Sequence, residues 1–181
     1  MKRHHRAAPL AVLLALALTA GTAAGGDGHG TDAFAGYSFA SIGDVNRHGA
    51  DLAVGLDLVG PLSGFVDLST HWGGESGGTF NDLTLMAGPG LRFGTRGGTV
   101  FFVRALLGLV RDKFTISVLD VDLSEGNSRF GVMGGGGVDF KVSTALAVRL
   151  QGDYLWNDVN EGQSSGYRAA AGIVYRFGSA R

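Results

Sequence analysis

From residue 33 onward, apolar side chains recur at every second position of the chain. Leu52, Val54 and Leu56, for example, alternate with Ala53 and Gly55. A period of two is typical of β-strands, whereas helices have a period near 3.6. Strands of about 9 to 13 residues can cross a bilayer at a tilt. The pattern predicts eight such strands, over residues 33–42, 49–58, 64–72, 81–93, 99–110, 129–140, 144–156 and 167–177.

The charged residues of these strands are all aspartate or arginine, and they share the face opposite to the apolar one. Glu75, Glu125 and Glu161 lie in predicted connections instead. A confined polar interior favours arginine with carboxylates, because the planar guanidinium makes paired hydrogen bonds to carboxylate oxygens. We therefore expect a polar network in the lumen of a barrel, formed by Asp51, Asp57, Asp67, His71, Asp82, Arg92, Arg104, Asp139, Arg149, Gln151, Asp153, Arg168 and Arg176.

Aromatic residues occur on the apolar face near both ends of the predicted strands. Two aromatic girdles separated by aliphatic residues are typical of membrane barrels. The girdle at the end with long connections contains Trp72, Tyr154, Trp156 and Tyr167. The girdle at the end with short connections contains Phe93, Phe101, Phe140, Tyr175 and Phe177.

The connections between the predicted strands alternate in length. In chain order they contain 6, 5, 8, 5, 18, 3 and 10 residues. This alternation is typical of an up-and-down barrel that has loops on one side and tight turns on the other. The fold class expected is thus an all-β, eight-stranded antiparallel transmembrane barrel.

The first 24 residues have the layout of a secretory signal peptide. A basic start is followed by an apolar run over residues 7–20 and by small residues up to Ala24. The run is shorter than the roughly 20 residues that a membrane-spanning helix needs. We expect residues 1–24 to be a signal peptide, 25–32 a flexible N-terminal segment, and 33–181 the barrel.

The composition argues against several classes of function. The chain has no cysteine, so disulfides, cysteine-ligated metals and thiol nucleophiles are excluded. Its 15 Lys and Arg residues against 16 Asp and Glu residues give no basic surface for nucleic acid. The acidic residues of segment 111–128 do not have the spacing of a calcium loop. We expect no cofactor, no metal and no nucleic-acid partner.

Three stretches of the sequence resemble the eight-stranded outer membrane β-barrel family of the OmpA and OmpX type. They are AFAGYSFASI in the first strand, FGVMGGGGVDFKVSTALAVRLQGDYLW across the sixth and seventh, and YRAAAGIVYRFG in the last. The resemblance covers residues 33–177. It implies contact with outer membrane lipid and recognition of the last strand, which ends at Phe177, by the barrel-assembly machinery. Four residues, 178–181, follow that aromatic and depart from the family pattern.

A serine, a histidine and an aspartate alternate on the third predicted strand as Ser69, His71 and Asp67. Residues two apart on a strand are about 7 Å apart, which is too far for the hydrogen bond between a nucleophile and its base. We therefore interpret them as a polar row in which His71 bonds Asp67 or an arginine. No enzymatic activity is expected.

Two local features affect the predicted strand pairing. The run Gly134–Gly137 lacks the Lys-Ser/Thr of a phosphate loop, and pairing across a turn at 141–143 would place Gly135 opposite Arg149. The same pairing places Met133 opposite Gln151. Pro89 cannot donate to a sheet, so residues 87–90 could contain a bulge that turns Arg92 outward, although Leu91 and Phe93 fit the simple register.

The longest predicted connection, residues 111–128, carries apolar residues among acidic ones. It is either a hairpin extension of the fifth and sixth strands or a docking surface, since exposed apolar residues on loops often mark partner sites. We expect it to project outside the cell and to carry any binding function.

The sequence therefore predicts a monomeric outer membrane barrel with a plugged lumen, at most a small conductance, and a structural or surface-interaction role. The alternative is a soluble periplasmic barrel that binds a small apolar ligand, as lipocalins do. That alternative requires the apolar face to point inward and the Asp/Arg face to point to water.

Overall fold

The computed structural model describes residues 30–42, 45–75, 78–118, 121–157 and 164–177. The predicted signal peptide and nearly all of segment 25–32 lie outside these ranges. Within them, no helix is long and apolar enough to cross a membrane.

Eight β-strands form one sheet in which each strand pairs with the next in sequence, antiparallel, and the last returns to the first. They are β1 (Thr31–Ile42), β2 (Val45–Asp57), β3 (Leu62–Glu75), β4 (Gly78–Gly94), β5 (Val100–Val118), β6 (Val121–Lys141), β7 (Leu146–Asn157) and β8 (Ser164–Phe177). The sheet is a closed barrel, sealed by β1 and β8 from Thr31 opposite Phe177 to Ile42 opposite Gly166. The predicted fold class is confirmed.

The predicted alternation of long and short connections is wrong, because strands continue through most of the predicted long loops. Pairing extends to Glu75 opposite Gly78, and to Val118 opposite Val121. β5 and β6 are therefore 19 and 21 residues long and include most of the predicted loop 111–128. Strands pair through hydrogen bonds between backbone groups, which any side chain allows. Strands can therefore extend past the point where apolar residues stop alternating on the outward face.

The register between β6 and β7 also differs from the prediction. Asp139 lies opposite Arg149, and Gly137 opposite Gln151, whereas the sequence placed Gly135 opposite Arg149. The connection is longer than three residues: the Val142 N–H donates to the Leu146 carbonyl at 2.9 Å. The turn is therefore centred two residues later, which shifts every β6–β7 pair by four.

Pro89 introduces no bulge into β4. On its two sides, Ala87 pairs with Leu107 and Gly90 pairs with Arg104, so both strands contain the same number of residues between these pairs. The alternation of faces therefore continues through Pro89 to the end of the strand, and Arg92 remains on the inward face.

The two faces of the sheet differ sharply in chemistry. Leu85, Leu107 and Leu109 on the outward face are about half exposed, while Asp51 and Arg149 on the inward face are fully buried. This orientation is the reverse of the one that a soluble barrel with an apolar ligand site needs. The soluble alternative is therefore wrong.

Candidate functional site in the lumen

All thirteen residues of the predicted polar network occupy inward positions on β2 to β8. Three of them, Asp57, Arg92 and Arg176, lie at the end of the barrel that carries connections 58–61, 95–99 and 142–145, and are partly exposed. The other ten are buried: Asp51, Asp67, His71, Asp82, Arg104, Asp139, Arg149, Gln151, Asp153 and Arg168.

One cluster of ion pairs lies near connections 58–61, 95–99 and 142–145. Arg149 donates to Asp139 from Nε at 2.6 Å and from Nη2 at 2.8 Å, and it also reaches Asp32 at 3.4 Å. Arg92 forms ion pairs with Asp32 and, at 3.0 Å, with Asp57. Two arginines and three aspartates from five strands are thus connected at this end of the lumen. The more exposed Arg176 lies 3.9 Å from Asp139.

A second cluster, the central cluster, crosses the middle of the lumen. Arg168 donates to both carboxylate oxygens of Asp67, at 2.7 and 2.9 Å, and to Asp153 at 2.8 Å. Arg104 donates to both oxygens of Asp153, at 3.1 and 2.9 Å, and lies 3.1 Å from Asp67. Such two-point pairs are among the stronger hydrogen bonds in proteins. They connect β3, β5, β7 and β8, and so join opposite walls of the barrel.

Asp51 borders the central cluster but is bound differently. Its Oδ2 accepts a hydrogen bond from Gln151 Nε2 at 2.7 Å. Arg168 Nη1 lies 3.6 Å from the same oxygen, which is beyond normal hydrogen-bond length.

Three arginines place their guanidinium carbons over the rings of buried phenylalanines. The Phe102 ring lies 4.6 Å from the guanidinium carbon of Arg149 and 5.7 Å from that of Arg104. Phe65 contacts Arg92 in the same way at 4.8 Å. The negative face of an aromatic ring attracts a cation at these distances.

Near the opposite end of the lumen, Ser38 and His71 are hydrogen-bonded through Oγ and Nε2 at 2.9 Å. The prediction that His71 bonds Asp67 or an arginine is therefore wrong. Ser38 lies on β1, so this contact joins two strands that are not sequence neighbours. Arg47 and Asp82 form an ion pair at the same end.

Three inward residues that take part in these contacts were not predicted from the sequence: Asp32, Ser38 and Arg47. Asp32 was assigned to the flexible N-terminal segment and Arg47 to a loop, because the predicted β1 and β2 were too short. The available signal was the period of two, since Asp32 lies two residues before the inward Phe34.

Inward glycines make room for the long side chains of the network. A Cβ on Gly55 would lie 1.9 Å from Arg92 Nη2, and one on Gly135 would lie 2.3 Å from Asp153 Oδ1. Small residues opposite long ones are what a narrow barrel with a filled interior requires.

The residues of both predicted girdles are at outward positions. In the first girdle the Tyr154 ring lies 4.5 Å from Trp156 and 6.1 Å from Tyr167. In the second, the rings of Tyr175 and Phe177 are 4.9 Å apart. Trp72, Phe93, Phe101 and Phe140 are about half exposed on the same surface. Tyr37 and Phe130, which the sequence analysis did not include, are also exposed there.

A closed barrel with a charged interior and an apolar, aromatic-rimmed exterior is a membrane-embedded β-barrel. Solved structures of outer membrane proteins have this fold. Neisserial surface protein A is 16% identical, with a TM-score of 0.63, over 81% of this chain and 96% of that one. The attachment invasion locus protein Ail of Yersinia pestis, bound to the heparin analogue sucrose octasulfate, is 18% identical, with a TM-score of 0.62, over 82% and 99%.

The N-terminal β-barrel domain of OprF from Pseudomonas aeruginosa is 17% identical, with a TM-score of 0.53, over 82% of this chain and 97% of that domain. No protein-family profile and no curated protein sequence matches the chain. At these identities the similarity defines the fold, which is the eight-stranded barrel of outer membrane proteins. It supports a location in the outer membrane.

Proposed function

We propose that this protein is an integral outer membrane barrel, closed by the ion pairs of its lumen, with a structural and surface-interaction role. The observation that carries the proposal is the central cluster, in which Arg168 and Arg104 are bound to Asp67 and Asp153 across the barrel. Eight strands enclose a space just wide enough for side chains to fill. At most a small conductance is therefore expected.

The outward surface supports insertion into lipid. Its aliphatic residues, such as Leu107 and Leu109, lie between the two aromatic girdles. Export through the predicted signal peptide 1–24, recognition of the strand ending at Phe177 by the barrel-assembly machinery, and a monomeric state belong to the same proposal.

The surface-interaction role is assigned to the β5–β6 hairpin. A membrane-spanning strand needs about 9 to 11 residues, whereas β5 and β6 have 19 and 21. Residues 111–118 and 121–128 are therefore the part of these strands that reaches beyond the bilayer. The whole sequence segment 111–128 contains four acidic residues and two basic ones, so we propose a partner other than an anionic polysaccharide.

We further propose that the protein is not an enzyme. The Ser38–His71 hydrogen bond resembles a nucleophile with its base, but both side chains are buried, at 0% and 3% exposure. A substrate would need access to the serine oxygen. The surrounding arginines and aspartates instead bind one another.

Membrane fractionation of expressed protein, followed by gel lanes with and without heating, tests the location. The proposal predicts membrane-bound protein that migrates differently after heating. Protein that is soluble in buffer and has no heat-modifiable band would contradict it.

The hairpin is tested separately by replacing residues 113–126 with a short Gly/Ser turn. The shortened barrel should remain heat-modifiable, because the spanning parts of β5 and β6 are intact, and should lose any adhesion or ligand binding measured for the full protein. Failure to insert would show that the hairpin belongs to the fold. Retained adhesion would move the binding site to segment 73–80 or 157–166.

A further inference from the structure

Arg111 on β5 differs from the other arginines of the described strands, because it lies on the outward face. The strands contain eight arginines, and seven of them occupy inward positions: Arg47, Arg92, Arg104, Arg129, Arg149, Arg168 and Arg176. Arg111 follows two residues after Leu109, which is 55% exposed on the outward face, and it is exposed as well. It forms no hydrogen bond or ion pair with another described residue.

The surroundings of Arg111 are apolar on one side and polar on the other. In the sheet it lies directly opposite Leu83 on β4 and Ser128 on β6. Toward the middle of the barrel, the next outward residue of β6 is Phe130, which is 56% exposed. Away from the middle, the next outward residue of β4 is Asn81, which is exposed like Ser128. Arg111 is therefore at a border between an apolar and a polar surface.

The position of Arg111 along β5 places this border at the surface of the bilayer. Phe101, on the same strand and the same face, belongs to the girdle at the other end, and Arg111 follows ten residues later. A strand rises about 3.4 Å per residue and is tilted by about 45° in a membrane barrel, so ten residues span about 24 Å along the membrane normal. The apolar band of such barrels is about 25 Å tall. With Phe101 at one border of the band, Arg111 is at the other, at the level of the lipid headgroups.

The aromatic girdle at this level is interrupted where Arg111 lies. On β7, β8, β1 and β3 the exposed outward residues are aromatic: Trp156, Tyr167, Tyr37 and Trp72. The outward positions of β4 and β5 at this level carry Asn81 and Arg111 instead. An aromatic ring suits the interface of any bilayer, whereas a guanidinium adds a positive charge and five hydrogen-bond donors in one plane. This part of the rim therefore has the chemistry to select an anionic headgroup.

The charges of the β5–β6 hairpin are sorted along its length. Its two basic residues, Arg111 and Lys113, are at its base on β5. Three of its four acidic residues come later in the chain, at the tip and on β6: Asp120, Asp122 and Glu125. In the described part of the chain, the outward positions of the spanning strands carry no carboxylate. The positive charge at the membrane surface is therefore open to an anion of the lipid, while the acidic tip is not.

We propose that Arg111 binds the phosphate group of an outer-leaflet glycolipid of the lipid A type, whose acyl chains pack on Leu109 and Phe130. Arginine binds phosphate oxygens at two points, and the hydroxyl of Ser128, directly opposite, is a further donor. A free phosphate ion would make no use of the apolar residues beside Arg111. The inference rests on the outer membrane location proposed above, because such a lipid occupies that leaflet.

The test measures lipid binding by the folded protein in a neutral detergent, using native mass spectrometry. The probes are diphosphoryl lipid A and the same glycolipid without its phosphates. We expect one tightly bound lipid A per barrel and an affinity about tenfold lower in Arg111→Gln, because hydrogen bonds between charged groups are lost. The wild-type protein should bind the glycolipid without phosphates as weakly as Arg111→Gln binds lipid A.

The matched control is Arg96→Gln, which removes an exposed arginine from connection 95–99 at the other end of the barrel and should keep the wild-type affinity. An equal loss in Arg96→Gln would identify a general attraction to charge and overturn the proposal. So would an unchanged affinity in Arg111→Gln, or displacement of lipid A by millimolar inorganic phosphate.

The comparison of the two glycolipids needs no variant, so it decides the proposal even if Arg111→Gln does not fold. Equal binding of both by the wild-type protein would overturn it. The heat-modifiable band shows whether each variant is folded. Membrane fractionation tests the location independently, so a wrong location and a wrong lipid site give different results.

Discussion

Arg168 on β8 and Asp67 on β3 form a two-point ion pair across the lumen, with N–O distances of 2.7 and 2.9 Å. They are 101 residues apart in sequence, and β1 and β2 lie between their strands in the barrel. The pair therefore forms only when the barrel closes. Closure also creates the lipid-facing surface, so the stability of the barrel depends both on the lumen contacts and on that surface.

Removing Arg149 should destabilise the barrel strongly. The substitution Arg149→Ala leaves Asp139 buried without its two-point partner, and breaking a buried pair in this way costs about 3–5 kcal/mol. The measurement is urea unfolding of the refolded protein in detergent. Arg176→Ala is the control, because Arg176 lies 3.9 Å from the same carboxylate and is partly exposed. If Arg149→Ala and Arg176→Ala lost the same free energy of unfolding, the buried two-point pair of Arg149 with Asp139 would contribute no more than the exposed contact of Arg176.

Inward and outward glycines of neighbouring strands should differ in their tolerance of a methyl group. In Gly135→Ala the new Cβ would lie 2.4 Å from the Gly152 carbonyl oxygen, so the backbone must shift. Overpacking of this kind costs about 1–3 kcal/mol. Gly152→Ala is the matched control, because its nearest neighbour is 4.0 Å from the added Cβ. The measurement is the thermal unfolding of both variants. A lower unfolding temperature for Gly152→Ala than for Gly135→Ala would disprove the packing argument.

A charge placed on the apolar band should prevent stable insertion. Leu107 is 55% exposed on the outward face, and Leu107→Arg should cost about 2–4 kcal/mol if the residue faces the middle of the bilayer. Val142, which is 67% exposed in the β6–β7 turn, should accept arginine at a cost of about 0–1 kcal/mol. Folding yield into lipid vesicles measures the difference, and an equally good yield for both variants would argue against lipid contact at Leu107.

Much of the fold could be predicted from the sequence because the two faces of a barrel strand lie in different surroundings. The inward face meets the polar lumen, and the outward face is apolar. Alternation of Leu with Asp or Arg is visible locally, and it indicated the number of strands and the inward set. Strand ends were harder to predict, since pairing beyond the bilayer does not require apolar residues. The predicted spanning segments of β5 and β6 were therefore too short, although the interpretation of 111–128 as a hairpin extension of these strands is confirmed. Asp32 and Arg47 were placed outside the strands.

The partners within the lumen could not be predicted in the same way. Alternation shows that Ser38 and His71 face inward, but their contact depends on the curvature of the closed barrel. The β6–β7 register depends on the turn, where Ser143 Oγ accepts hydrogen bonds from the Ala145 and Leu146 N–H groups at 3.3 and 3.0 Å. A shift of four residues keeps every side chain on its own face, so the hydrophobic pattern cannot detect it.

The conductance of the purified protein in planar lipid bilayers tests the closed lumen most directly. Arg104, Arg168, Asp67 and Asp153 fill the centre of the barrel, so we predict no steady opening of porin size and at most small, irregular currents. The variant with residues 113–126 replaced should behave in the same way, because the hairpin is not what closes the lumen. Steady openings of porin size in the wild-type protein would contradict the account.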